Sequence, residues 1–301
     1  MNDLPFDKPG RFYRGNLHMH STQSDGKYSA EEVCRRYRAA GYDFISITDH
    51  AMEAYGYPVT DTSELRTGDF TTLIGAELHA GQSELGHLWH IVANGLPADF
   101  DPSSATSGQE AARMARDAGA FVSIAHPAWY ILTEADVRSF HRIAHAIEIY
   151  NGTAGAMQDR YDSWYIADLV LARGLRFLAS ASDDFHGQPD RHDFNLGWVW
   201  VKSESLDPGP IAAALRAGHF YSSTGPEILD VRVEPGRVLS VRASTADLIA
   251  VTGVGPRAAR TTEIDVSEVE LDISALESPY LRVTVRDRWG RRAWTNPIWV
   301  G

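Results

Sequence analysis

Asn16–Leu17–His18–Met19–His20–Ser21–Thr22–Gln23–Ser24–Asp25–Gly26 places two histidines, an aspartate and a glycine turn directly after a strand-like run. If residues 12–20 are extended, side chains alternate faces, so His18 and His20 project to one side and Met19 to the other. Two imidazoles on one face of a strand end suit a shared metal ion. Asp25 follows in a turn where Gly26 is expected to take a positive φ, which lets the acid swing back toward the same pocket. An isolated His-x-His is weak by itself, because most such pairs are surface or core histidines. The metal site therefore needs partners from elsewhere in the chain.

Those partners recur at strand ends. Ser29–Ala30–Glu31–Glu32 has the spacing of a capping box and predicts an amphipathic helix to about Ala40, closed by Gly41. A strand over 44–48 then delivers Asp49 and His50. A strand over 71–76 ends at Glu77, with His79 two residues on, and Gly86–His87–Leu88–Trp89–His90 leads into a strand over 91–93. A helix over 107–118 precedes a strand over 121–125 that ends at His126–Pro127. A helix over 134–144 precedes a strand over 146–150. A helix over 157–173 precedes a strand over 177–181, which runs into Ser182–Asp183–Asp184–Phe185–His186. A strand over 196–202 and a helix over 210–217 complete the pattern. Such alternation predicts an α/β fold, a parallel barrel or doubly wound sheet, whose active sites lie where strands finish. Around seven such steps amount to a barrel, against the usual eight.

Near residues 220–227 the composition changes. Strand-like runs without helical periodicity follow at 228–233, 238–243, 248–254, 269–273 and 281–285, with 286–291 as a hairpin tip and 293–300 as the returning strand. These predict a small antiparallel, sandwich-like β domain over 226–301 beside a barrel over 1–225. It is expected to pack beside the barrel mouth or to build a dimer contact, so a homo-oligomer stays open.

A chain of 301 residues, 44% hydrophobic and 23% charged, has the composition of a folded globular protein. The N-terminal text lacks a signal-peptide pattern, and no apolar run has membrane-spanning length, so no membrane partner is expected. One cysteine, Cys34, excludes an internal disulfide and a thiolate zinc knuckle, and the cytoplasm is the expected compartment. A net charge of −12 argues against duplex nucleic acid as a partner, while a small phosphorylated substrate stays compatible because bound cations offset carboxylates locally.

The residues to be weighed together are His18, His20, Asp25, His50, Glu77, His90, His126, Asp184 and His186. Imidazoles and carboxylates suit zinc, manganese or iron and disfavour copper(I). Asp184 and His186 repeat the same-face spacing of the opening pair. His141, His145, His192 and His219 read as ordinary helix-end or loop residues, Cys34 as core, and Trp129 as a lining for the apolar end of a substrate.

With HMHSTQSDG at 18–26, ITDH at 47–50, IAHP at 124–127 and SDDFH at 182–186, the sequence resembles, over roughly residues 12–225, the polymerase and histidinol phosphatase (PHP) metal-dependent hydrolases. The resemblance implies a distorted seven-stranded barrel holding two or three divalent ions (Zn, Mn or Fe) at the strand C-termini. It implies that His18, His20, Glu77 and Asp184 hold a first ion, that Asp25, His50 and His186 hold a second, and that Glu77 bridges to a third that also takes His90 and His126. Asp25, His50, Glu77 and Asp184 are then catalytic as well as ligating. Asp184 is preferred to Asp183 by the Asp-x-His pattern, Asp183 being left to orient a ligand or strand end. His79 and His87 compete with His90, and either of them or a metal-bound water is the candidate for protonating the leaving group. Lys27, Arg160 and Arg191 are candidates for holding a phosphate. The implied activity is hydrolysis of a small phosphomonoester by a metal-bridging hydroxide. Residues 220–226 and Asn296–Pro297–Ile298 also resemble the carbaryl-hydrolase branch, whose metal centre cleaves carboxylic or carbamic esters. A catalytically silent metal-binding module is the third alternative.

Overall fold

Gly15 lies where the ring of Phe44 crosses the first strand, and a Cβ there would fall 2.0 Å from that ring. In the computed structural model, which describes residues 4–300, this contact sets β1 (Arg11–Asn16) against β2 (Phe44–Ile47) in parallel. Both β2 and the two-residue β3 (His50–Ala51) pair in parallel with β4 (Thr71–Leu78). The next strand, β5 (Ile91–Asn94), runs antiparallel to β4 and to β6 (Phe121–Ile124); parallel pairing resumes through β7 (Ala146–Asn151) and β8 (Leu178–Ser182). Beyond β1 and β8 the two chain segments are laced together. Met19 bridges Phe185, the His20 amide donates to the Phe185 carbonyl at 2.8 Å, and the Asp184 amide donates to the His18 carbonyl at 2.9 Å.

On the other side of β1 lies antiparallel β9 (Trp198–Ser203), followed by β10 (Phe220–Ser223). The remaining strands are β11 (Ile228–Glu234), β12 (Val238–Ala246), β13 (Leu248–Thr252), β14 (Ala258–Arg260), β15 (Val266–Asp272), β16 (Tyr280–Arg286), β17 (Arg292–Thr295) and β18 (Ile298–Trp299). Three of them, β11, β12 and β15, form a separate antiparallel sheet, whereas β13, β14, β16 and β17 extend the large sheet through the β10–β17 pairing. The alternating burial of β16 reflects one face packed and one in solvent. Val231, Leu239, Val241 and Leu271 of the small sheet meet Ile249, Val251, Val283 and Val285 of the large one in a single core cluster. The protein is thus a mixed α/β structure with one large sheet and a second, small antiparallel one.

The helices are α1 (Ala30–Ala39), α2 (Gly108–Asp117), α3 (Pro127–Tyr130), α4 (Glu134–Ser139), α5 (Gly152–Gln158), α6 (Trp164–Ala172) and α7 (Pro208–Ala217). As predicted, Ser29 caps α1 by accepting from the Glu32 amide, and Gly41 follows it at a φ of +82°. Val33 and Tyr37 of α1 pack on Ile45 and Ile47 of β2. Ile211 and Leu215 of α7 meet Phe44, Leu73 and Phe121 and plug the end of the strands opposite His50. Burial of such side chains contributes roughly 1.5–3 kcal/mol each.

Two predicted helices differ. The helix expected to reach 144 stops at Ser139, and Arg142 turns the chain at a φ of +66°. The helix expected over 157–173 is two: Asp159 ends α5 at a φ of +57°, and the carboxylate of Asp162 accepts the Trp164 amide at 2.8 Å and starts α6. The polar run Gln158–Ser163 has no apolar stripe to hold a helix through that point. The short β14 carries no clear strand pattern in the sequence, and the returning strand breaks at Asn296–Pro297 into β17 and β18.

The C-terminal strands are fastened to α6 and to the start of β8. Arg282 Nη2 reaches Asp168 of α6 at 2.9 Å and Tyr280 donates its hydroxyl to the same carboxylate at 2.8 Å. Asn296 donates to the carbonyls of Gly218 and Phe220 and accepts from the amide of Ala179, at the start of β8. Among the described residues, no helix is long and apolar enough to cross a membrane.

Candidate metal centre

The segments following β1, β2, β4, β6 and β8 and the residue preceding β5 converge on one buried cluster. His18 Nε2 lies 3.2 Å from Asp184 Oδ1 and 3.5 Å from Glu77 Oε1, and His20 Nε2 lies 3.0 Å from Asp184 Oδ1. Glu77 Oε1 is also approached by His90 Nδ1 at 2.8 Å and by His126 Nε2 at 3.3 Å, while Glu77 Oε2 meets His50 Nδ1 at 2.6 Å. Nearer solvent, Asp25 stands 3.4 Å from His186 Nε2 and 3.5 Å from His50 Nε2.

Ligand-type atoms lie within 4.8 Å of one another in four overlapping groups: His20–Asp25–His50–His186, His50–Glu77–His79–His90, His18–His126–Asp184 and His18–His20–Glu77. The donors are nitrogen and carboxylate oxygen, the set that zinc, manganese and iron accept.

Several donor atoms are orphaned. His18 Nε2, His20 Nδ1, Asp25 Oδ1 and Glu77 Oε2 are buried without a hydrogen-bond partner, a costly arrangement unless something fills the space between them. Ring orientations are fixed from outside. The carboxylate of Glu148 lies 3.0 Å from His18 Nδ1, and the carbonyl of Asp184 lies 2.8 Å from His186 Nδ1. Both oxygens only accept, so Nδ1 of each ring carries a hydrogen and Nε2 is the nitrogen turned inward.

Electrostatics match this reading. Burial opposes ionisation of Glu77, yet His90, His50 and His18 hold its carboxyl well below the usual range, and Asp184 is held low against burial by His18, His20 and His186. Burial, then the charges of His186 and His50, push His20 down to about 4, and burial takes His90 to about 3. Those rings are neutral and can donate lone pairs. For His50, Glu77 and Asp25 outweigh burial and raise it to about 10, and His18 is raised likewise by Asp184, Glu148 and Glu77. In the metal-free chain, protons on these rings balance the carboxylates, and a divalent ion would displace them.

All nine residues predicted from sequence as ligands are in the cluster. His79 joins it beside His50 and His90, whereas His87 lies outside the ligand groups with its ring 5.4 Å from that of Tyr130. Asp183 points elsewhere: it accepts from Tyr37 and from the amides of Asn195, Leu196 and Gly197, and so anchors the loop that returns from β8. Lys27 and Arg191 line a cavity of about 360 Å³ with Tyr28, Arg36 and His192, while Arg160 donates to the carbonyl of Trp129 at 3.2 Å and does not line that cavity.

One expectation is corrected. Gly26 is not at positive φ; it is needed for space, since a Cβ would lie 2.4 Å from the His20 carbonyl. Two residues were not assigned from sequence. Glu148 is one, and its signal was a lone acid inside the apolar run Ala146–Ile149. Asp49 is the other: its carboxylate accepts from the Ser21 amide and from the hydroxyls of Ser21, Ser24 and Thr60, which folds the loop carrying Asp25.

No family model matches the chain. A two-domain protein from Bacteroides vulgatus, containing a predicted PHP-like metal-dependent phosphoesterase, superposes over 94% of both chains with a TM-score of 0.54 at 17% identity. The chain therefore has the fold of a PHP-like protein. An amidohydrolase from Chromobacterium violaceum, solved with bound sulfate and no metal, overlaps 59% of this chain and 89% of its own at 19% identity and a TM-score of 0.44. The DNA polymerase/3′-5′ exonuclease PolX of Bacillus subtilis is 46% identical over 39 residues, which are 13% of this chain and 7% of the polymerase.

Proposed function

We propose that this chain is a divalent-metal-dependent hydrolase of the PHP type, and specifically a phosphoesterase acting on a small phosphomonoester. The observation that carries the reading is the convergence of orphaned, inward-turned donor atoms from His18, His20, Asp25 and Glu77 in one buried cluster. His18, His20, Glu77 and Asp184 would hold one ion, and Asp25, His50 and His186 a second. Glu77, His90 and His126 have the donors for a third. Bound divalent ions supply acidity toward water and compensate charge on phosphoryl oxygens. The chain's own residues do the rest. Glu148 and the Asp184 carbonyl hold His18 and His186 in the ligating tautomer, and Asp49 holds the loop of Asp25. Asp25, 36% exposed at its side chain, marks the face from which substrate enters. Lys27 and Arg191 supply cations beside that face for an anionic substrate.

The ring of β1, β2, β4, β5, β6, β7 and β8, laced at Met19 and Phe185 and with β5 reversed, supports a distorted seven-stranded barrel over 1–225, with 226–301 as its β domain. A cytoplasmic location belongs to the same reading, supported by a single, buried cysteine, Cys34. A second reading is ester hydrolysis of an apolar substrate. It is favoured by the stacked rings of Trp129 and Tyr130, 5.9 Å apart, with Tyr130 4.7 Å from His90.

The test is elemental analysis of the purified protein together with turnover of p-nitrophenyl phosphate, nucleoside monophosphates and naphthyl esters. Phosphate monoesters are expected to be the substrates turned over. His20→Ala and Asp184→Ala are expected to abolish turnover while the circular dichroism spectrum is kept. Full turnover by either folded variant would refute the assignment.

A further inference from the structure

His79 continues the line of β4 and faces His90 across the hairpin, on the same register that pairs Glu77 with Val92 and Leu78 with Ile91. Its side chain is 1% exposed. His79 Nδ1 lies 2.9 Å from the carbonyl oxygen of Trp89. A carbonyl only accepts, so this nitrogen carries the hydrogen and the neutral ring is left with a bare Nε2. That Nε2 lies 2.8 Å from His50 Nδ1. Two bare nitrogens repel at this distance, so His50 Nδ1 donates. Glu77 Oε2 lies 2.6 Å from the same His50 nitrogen, but the hydrogen there is shared with His79, which leaves that oxygen without a partner and open to the centre. When an ion displaces the second proton of the ring, His50 offers its Nε2 in the group formed with His20, Asp25 and His186.

We infer that His79 is a positioning residue and not a metal ligand: the relay from the Trp89 carbonyl through His79 fixes the ring nitrogen that His50 offers to the Asp25–His186 side of the cluster. The inference rests on the metal-dependent reading above and deepens it. Glu77 alone does not secure His50, because its Oε2 also faces His20 Nε2 at 3.7 Å and is shared with the centre. His79 is tied to the backbone and stays in place whichever way Glu77 is engaged.

The test uses the full chain loaded with zinc, a diamagnetic ion, and labelled with 15N at histidine. Long-range proton–nitrogen correlations are expected to show Nδ1–H on both His79 and His50, a zinc-shifted Nε2 on His50, and no zinc shift on His79. A zinc shift on His79, or hydrogen on Nε2 of either ring, would overturn the inference. Zinc titration against a competing chelator is the second arm. His79→Ala is expected to keep the wild-type stoichiometry at saturation while the weakest-held ion binds about 10- to 100-fold less tightly. His79→Gln, whose amide oxygen can accept from His50, is expected to recover most of that loss. One zinc equivalent missing from both variants at saturation, or unchanged affinity in His79→Ala, would refute it. A wild-type chain that binds no zinc would instead bring down the metal-dependent reading itself, and the relay with it.

Discussion

Glu148 sits 3% exposed and gathers the His126 amide, Asn151 Nδ2, the Ser182 hydroxyl and His18 Nδ1 on its two oxygens. A glutamine in its place would set an amide among these donors and loosen His18. Glu148→Gln is therefore expected to weaken metal binding about 10- to 100-fold with the fold intact, read by competitive chelator titration. Unchanged affinity would assign Glu148 to packing alone. The clustered residues themselves were legible because each motif joins a strand end to His, Asp or Glu. Glu148 was not, because an acid within a strand announces burial without naming its partner. Gly26 was legible as a requirement for glycine, but not its cause, since the crowding carbonyl belongs to His20 and approaches only after the loop folds back.

At the scale of elements, the rule that sites gather at strand C-termini located His50, Glu77, His126 and Asp184. It could not place His90, which precedes its strand. The reason is the reversal of β5: its beginning, not its end, lies at the metal side, so His79 leaving β4 and His90 entering β5 meet with rings 4.3 Å apart. The same sequence pattern would fit a parallel strand, and only the pairing decides. His145, at the entry to β7, illustrates a strand junction away from the centre. Its Nδ1 accepts the Val122 amide at 3.1 Å, and burial, then Arg116 and Arg216, lower its pKa from 6.5 to about 4. As pH falls, the unfolded chain takes up this proton first. The stability held above pH 6.5 is therefore lost progressively toward pH 4, by about 2 kcal/mol once partial exposure is allowed for. His145→Asn keeps an acceptor without the titration. Its loss of stability between pH 7 and about pH 5 in urea denaturation is expected to be smaller than the wild type's; equal losses would contradict this.

For the whole molecule, alternation in residues 228–300 was enough to predict antiparallel strands, but not their membership of two sheets. Pairing partners distant in sequence, such as β10 with β17, leave no local signature. The large sheet runs without interruption from β8 to β14, so the C-terminal strands are continuous in hydrogen bonding with those that carry the centre. Asn296 is buried at that junction with three backbone partners. Asn296→Ala leaves an amide and two carbonyls unsatisfied and is expected to cost about 3 kcal/mol. It should lower the unfolding midpoint in a single transition seen alike by far-ultraviolet dichroism and by release of bound metal; two separated transitions would mean that the sheet does not couple its halves.

The reversal of β5 carries a further consequence. It makes residues 79–90 the turn of a hairpin beside the cluster, with the Glu84 amide fastened to the Asp136 carboxylate at 2.9 Å and Leu85 and Leu88 exposed. Lengthening or trimming this turn would change what stands beside the cluster while Glu77, His79 and His90 keep their strand register, so the surroundings can vary in size without disturbing the convergence beneath.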